Sequence, residues 1–356
     1  MPRHAVYPSE ARLEGTTAVI TGANTGVGKE TARHLYRRGA RVIIGVRSVE
    51  RGEEARSEIV ESAAGEQETA GALIVLQLDL ASLQSVRDFA QEVLAQADKI
   101  NLLINNAGVM ACPRAETKEG FEMQLGVNHL GHFLLTLLLL ERLVNSAPSR
   151  IVNLSSLAHT RGKMHFDDLM LKRGYGDWKA YYQSKLANVL FTRELARRLL
   201  GTRVTTYAVH PGIVRTDLWR HQGCFDRLLQ PMFKTPEQGA QTTLYCALAP
   251  ELATLSGRYY SDCKEKQPSA RARNDEDAAR LWEISEELVG VGLQGNSVTQ
   301  LRQGSATAPQ TEPATAQQET ETEPTPPQET EAQPAPPQGD GEATTEPAET
   351  NGQQPE

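Results

Sequence analysis

The sequence predicts an α/β fold, a doubly wound parallel sheet in a single domain with a disordered C-terminal tail. Three observations carry this. Short β-branched runs alternate with helical patterns through residues 13–293. Those runs are continuously apolar, as strands covered on both faces are. A glycine cluster follows the first run at once and opens the first helix, the place where such sheets turn toward a ligand.

The elements follow in order. TTAVIT (16–21) reads as the first strand, and KETARHLYRRG (29–39) as a helix ending at Gly39. RVIIGV (41–46) is the second strand, with a polar helix over 49–63. ALIVLQL (72–78) is the third, followed by a helix to Ala97 that starts at Ser82, a good N-cap. NLLIN (101–105) is the fourth strand, and a long helix is expected over 118–145. RIVNLS (150–155) is the fifth strand, with a helix over 177–200 behind it. RVTTYAV (203–209) and GRYYS (257–261) are strands six and seven, and an amphipathic helix spans 275–289. Residues 1–12 form an N-terminal extension.

From Gln294 onward the chain has no aromatic residue and repeats Glu, Thr, Pro, Gln and Ala. It carries 11 acidic residues and one basic, Arg302, so of the net charge of −8 this segment holds −10 and the rest +2. Such a composition cannot offset its ordering entropy by apolar burial, hence the expectation of disorder over 294–356. The near-neutral body has no dense basic stripe, so no nucleic-acid partner is expected. Cys112, Cys224, Cys246 and Cys263 form no CxxC pair, which argues against a zinc site or a disulfide framework. His129 and His132, one turn apart, lack a carboxylate or cysteine partner and read as packing residues; no metal is expected. The N-terminal residues contain no apolar leader, and FLLTLLLL (133–140) is well short of a membrane span. A cytoplasmic protein without a transmembrane segment is expected, with peripheral contact at the endoplasmic reticulum membrane left open.

TGANTGVG places Gly22, Gly26 and Gly28 between the first strand and first helix. Glycines there let the backbone turn tightly against a pyrophosphate whose charge meets the helix N-terminus. The second strand ends on Arg47 rather than on an acid, with Arg51 nearby. An acid would bond a ribose 2′-hydroxyl, whereas an arginine suits a 2′-phosphate. The expected cofactor is therefore NADP(H), with NAD(H) second.

Further along, AYYQSK (180–185) puts two tyrosines within a helical turn of Lys185. Spacing alone does not choose between Tyr181 and Tyr182. In order along the chain stand TGANTGVG, DLASL (79–83), NNAG (105–108), Asn128 in VNHLG, the serine pair of NLSS, Y-x-x-x-K (181–185) and HPG (210–212). Together they resemble the short-chain dehydrogenase/reductases, a Rossmann-fold family. GVNHLGHFLLT, SKLANVLFTRELARRL, HPGIVRTDL and SGRYYSDC resemble its retinol dehydrogenase branch, over about residues 12–290.

The resemblance implies cofactor contacts at Gly22, Asn24, Thr25, Gly26, Val27 and Gly28, and at Asp79 and Leu80 near the adenine. It implies others at Asn106, Ala107 and Gly108, and at Pro211, Gly212 and Thr216 beside the nicotinamide, with Asn105 supporting the sheet. It assigns catalysis to Ser156, Tyr181 and Lys185, with Asn128 holding an active-site water and the lysine. The Y-x-x-x-K match selects Tyr181, and Ser156, 25 positions upstream, agrees. Tyr182 becomes a packing neighbour.

The residue types suit the chemistry. Carbonyl reduction needs a proton donor near the oxygen; a nearby ammonium is expected to pull down the phenol's pKa, and a serine hydroxyl can steady the developing alkoxide. Residues 213–236 hold Trp219, Phe225, Leu228, Leu229, Met232 and Phe233, in this family a lid over the substrate. The expected activity is oxidoreduction between a lipophilic alcohol and its aldehyde or ketone, retinol and retinal leading. The resemblance also implies a homodimer. The alternative class is a non-catalytic regulatory protein acting through its acidic tail.

Overall fold

Eight strands form one sheet in the order β3-β2-β1-β4-β5-β6-β7-β8. They are β1 (Thr17–Thr21), β2 (Arg41–Val46), β3 (Ala72–Gln77), β4 (Leu102–Asn105), β5 (Ser149–Leu154), β6 (Val204–His210), β7 (Arg258–Ser261) and β8 (Lys264–Lys266). The first seven run parallel; β8 pairs antiparallel with β7. The computed structural model describes residues 6–7, 11–65, 70–221 and 233–292. The expected disordered tail, 294–356, lies outside them, as do lid positions Phe225, Leu228, Leu229 and Met232.

Helices cover both faces, as the apolar strands require. On one side α1 (Gly26–Arg37), α2 (Val49–Glu61) and α6 (Pro236–Leu248) pack through Leu35, Ile59 and Leu244 onto Ile20, Ile44 and Tyr207. On the other lie α3 (Leu83–Gln96), α4 (Met123–Asn145), α5 (Asp177–Arg198) and α7 (Asp275–Val289). There Phe89, Phe133, Phe191 and Trp282 meet Val19, Leu103 and Ile151. The ring of Phe133 lies edge-on to that of Trp282 at 4.8 Å.

By length and composition α4 could cross a membrane, but 89% of its most apolar window is buried within the fold. Within the fold, FLLTLLLL is a buried core helix. It begins later than the sequence suggests, at Met123, because residues around Gly120 (φ +83°) form a turn. It also contains a π-turn over Gly126–Leu130, where the Gly131 N–H reaches back to the Gly126 carbonyl.

Three further differences have physical reasons. The first helix starts at Gly26, three residues early, because the glycines of the turn already form its first turn. Helix α6 was not anticipated. Its start is nonetheless marked by a capping box, Thr235 accepting from Gln238 N–H and Gln238 reaching back to Thr235. Strand β8 is three exposed charged residues at the sheet edge, too short for any alternation to register.

Strand order reverses between β1 and β4, and in such sheets a ligand crevice opens there, beyond the strand C-termini.

Candidate active site

A cavity of about 1080 Å³ opens at that switch point. Every predicted cofactor residue lines it: Gly22, Asn24, Thr25, Gly26, Val27, Gly28, Arg47, Asp79, Leu80, Asn106, Ala107, Gly108, Tyr181, Lys185, Pro211, Gly212 and Thr216. Ser156 lines it too. Asn128 does not; it is fully buried behind the wall.

The glycine turn is shaped by close approach. Gly22 has φ +66°, and a Cβ on it would lie 2.8 Å from the Ala107 Cβ. A Cβ on Gly28 would lie 2.3 Å from Asn106 Nδ2 and 2.7 Å from the Gly22 carbonyl oxygen. The Asn106 amide is tied into the same knot, donating to the carbonyls of Thr21 at 2.8 Å and Gly22 at 3.2 Å. A bare backbone surface at a helix N-terminus, with glycines that admit no side chain, fits a pyrophosphate. Arg47 is exposed at the end of β2. Arg51, on α2, faces Asp217 across the cavity with Nη2 to Oδ2 at 3.4 Å.

On the opposite side β5 delivers the serine pair, and the two hydroxyls diverge. Ser155 is buried and donates to the Lys185 carbonyl at 2.7 Å. Ser156 caps the turn Leu157–Arg161, accepting from Ala158 N–H, and its hydroxyl is close enough to the Tyr181 phenol to favour the phenolate. Helix α5 brings Tyr181 and Lys185 to the cavity one turn apart. Tyr182 also reaches the wall, with its ring 5.7 Å from that of Trp178. What separates the two tyrosines is placement: Tyr181 is buried beside Ser156 and Lys185, whereas Tyr182 is half-buried.

The electrostatics depart from the sequence expectation. Burial pushes the Tyr181 phenol up to about 12, opposed by the nearby Ser156 hydroxyl. Burial brings the Lys185 ammonium down to about 8. The lysine stands 5.7 Å from the Tyr181 ring centre and donates to the Leu154 carbonyl at 3.1 Å. The phenol is thus raised rather than lowered: desolvation outweighs the ammonium, whose hydrogen bond goes to the main chain.

Asn128 is held by three direct bonds. Its Oδ1 accepts from Val109 N–H at 2.8 Å, and its Nδ2 donates to the Val109 carbonyl and Ser184 Oγ, each at 2.9 Å. Its amide therefore clamps the strand-four turn to α5. A Cβ on Gly108 would lie 3.2 Å from Asn128 Oδ1 and 3.6 Å from Lys185 Nζ, so the clamp and the lysine face the same glycine.

His132 was read only as a packing residue, yet it links the two halves of the site. The Asn128 carbonyl can only accept, so His132 Nδ1–H donates to it at 3.1 Å. His132 Nε2 must then accept, and the Thr21 hydroxyl donates to it at 2.8 Å. Thr21 Oγ1 in turn accepts the N–H groups of Asn106 and Ala107 at 2.9 and 3.0 Å. This chain fixes the histidine tautomer and the cofactor turn together.

Burial holds His132 near 4 and His129 near 3. Both values are depressed, so folding binds fewer protons than the unfolded chain below pH 6.5. Stability is complete above that pH and falls as pH drops toward 4, by up to about 3 kcal/mol for His132 alone. Urea unfolding at pH 7 and pH 5 should show a lower midpoint at pH 5, and His129→Phe should reduce the difference.

Residues 16–224 match the short chain dehydrogenase family. Human retinol dehydrogenase 12 is 56% identical over 289 residues, covering 80% of this chain and 90% of that protein. Among solved structures, an uncharacterised Mycobacterium paratuberculosis protein is 39% identical with a TM-score of 0.65, covering 80% of this chain and 97% of that one. A candidate NAD(P)-dependent gluconate 5-dehydrogenase from Beutenbergia cavernae, solved with NADP at low occupancy, is 25% identical with a TM-score of 0.57. It covers 70% of this chain and 96% of its own.

Proposed function

The chain belongs to the short-chain dehydrogenase family, in its retinol dehydrogenase-like branch, and from that premise we propose an NADP(H)-dependent enzyme that interconverts a lipophilic alcohol and its aldehyde or ketone. Retinol and retinal are the leading pair. The observation that carries the reading is that Ser156, Tyr181 and Lys185 line one cavity wall, with the lysine one helical turn from the phenol and 5.7 Å from its ring centre.

A bound nicotinamide would supply or accept the hydride. The rest falls to the chain. In reduction, Ser156 donates a hydrogen bond to the substrate oxygen and stabilises charge as it develops there. Tyr181, holding its proton throughout the neutral range, delivers it to that oxygen. Lys185 provides positive charge beside the phenolate left behind. In oxidation each transfer reverses. Asn128 acts as a positioning residue, through Val109 and Ser184. Substrate selectivity comes from an apolar wall that includes Met110, Leu157, Trp178, Ile213, Leu218 and Trp219; Leu157 and Ile213 are exposed at its rim.

NADPH oxidation with all-trans-retinal, decanal and a ketosteroid panel tests the assignment. Turnover of none of them above a Tyr181→Phe control would overturn it.

The preference for NADP(H) rests on Arg47. A charge-assisted hydrogen bond contributes about 1.5–3 kcal/mol, so Arg47→Ser should weaken NADPH binding by roughly 10- to 100-fold. NADH binding should change little, as isothermal titration of both cofactors would show.

A further inference from the structure

Arg161 stands on the wall of the same cavity, at the far end of the turn that begins after Ser156. It is exposed, and among the described residues no carboxylate pairs with it. Its place in the sheet separates it from the cofactor's phosphates. Arg47 and Arg51 follow β2, whereas Arg161 follows β5, three strands away in the order β2-β1-β4-β5. At about 4.8 Å per strand that is roughly 14 Å. Between Ser156 and Arg161 the wall is mostly apolar, with Leu157 and Ala158 on the turn itself, Thr160 its one polar member there, and Trp178 on the same cavity.

We infer that Arg161 is a specificity residue for an anionic group at the distal end of the substrate. This rests on the alcohol/carbonyl reading above and adds to the neutral lipophilic substrates an amphipathic class: a carbonyl or alcohol at one end, an apolar chain, and a carboxylate at the other. Chain length follows from the turn. From Ser156 to Arg161 is five residues, about 10 Å at the 3₁₀ rise of about 2.0 Å per residue. An extended chain advances about 1.2 Å per bond, since three bonds of backbone span at most about 3.6 Å. Some eight bonds therefore join the reacting carbon to the carboxylate, a nine-carbon ω-oxo acid. The guanidinium's planar fork meets a carboxylate through two parallel hydrogen bonds, and the aldehyde end lies where Ser156 and Tyr181 can reach its oxygen.

The test compares nonanal with 9-oxononanoate as substrates for NADPH oxidation by the full chain, wild type and Arg161→Gln. The wild type should favour 9-oxononanoate by about tenfold in kcat/KM. That ratio should fall to about one in Arg161→Gln, remain partly in Arg161→Lys, and shrink in high salt. A wild-type ratio near one, or a ratio unaltered in Arg161→Gln, would overturn the inference while leaving the enzyme assignment intact. If neither aldehyde turns over, the assignment itself fails for this length of substrate. Calorimetric binding of 9-hydroxynonanoate against nonan-1-ol then decides the Arg161 question: preferential binding that Arg161→Gln abolishes supports it, and equal binding refutes it.

Discussion

Tyr181→Phe should lower kcat/KM for any accepted carbonyl by about 10²- to 10⁴-fold, the contribution of a positioned proton donor. NADPH affinity should be nearly unchanged. The ring is 4% exposed, so phenylalanine keeps the packing and removes only the hydroxyl beside Ser156. Tyr182→Phe, one residue on, should retain most activity. Stopped-flow turnover combined with cofactor titration separates loss of chemistry from loss of binding. If the two variants exchange behaviour, the acid is Tyr182 and the assignment of α5 is wrong by one residue.

Gly28→Ala should impair both stability and cofactor binding. Its added methyl would sit 2.3 Å from Asn106 Nδ2 and 2.7 Å from the Gly22 carbonyl. Asn106 cannot withdraw without giving up its bonds to Thr21 and Gly22. Overpacking of this kind costs about 1–3 kcal/mol, a fall in Tm of roughly 2–6 °C for a domain of this size. Because the strained groups form the turn itself, NADPH affinity should fall by at least about tenfold. Thermal melts with and without NADPH measure both; an unaltered melting point with full NADPH stabilisation would show that the turn yields freely.

Most strands and helices were legible because burial on both faces writes them as apolar runs, as in RVIIGV and NLLIN. The helix over 275–289 was legible to the residue because Asn274 caps it and Gly290 ends it in the left-handed conformation. Helix α6 escaped because Gly239, Thr242 and Thr243 dilute its apolar stripe, and its capping box sits beside a segment read as lid. In the site, the order of motifs gathered the cavity wall, since a parallel sheet brings all its strand ends to one edge. What spacing could not convey was direction. Ser155 and Ser156 are neighbours whose hydroxyls serve different partners, and Asn128 spends its amide on Val109. Nor could it weigh desolvation against a nearby charge, which is why the phenol of Tyr181 stands higher than the Tyr–Lys spacing suggests. His132 was visible in VNHLGH, but its bonds join residues 111 positions apart, and no local pattern records that.

The concealment of α4 has a consequence for biosynthesis. Its partners on one side are made before it, α3 among them, but Phe191 and Trp282, which close over Phe133, are made long afterward. A ribosome that has just emitted residue 145 therefore presents a segment greasy enough to be taken for a membrane span, with its final cover still untranslated. Within the described residues, that cover is completed only when α7 is made, about 140 residues later, so α7 closes over a face that stands open through much of synthesis.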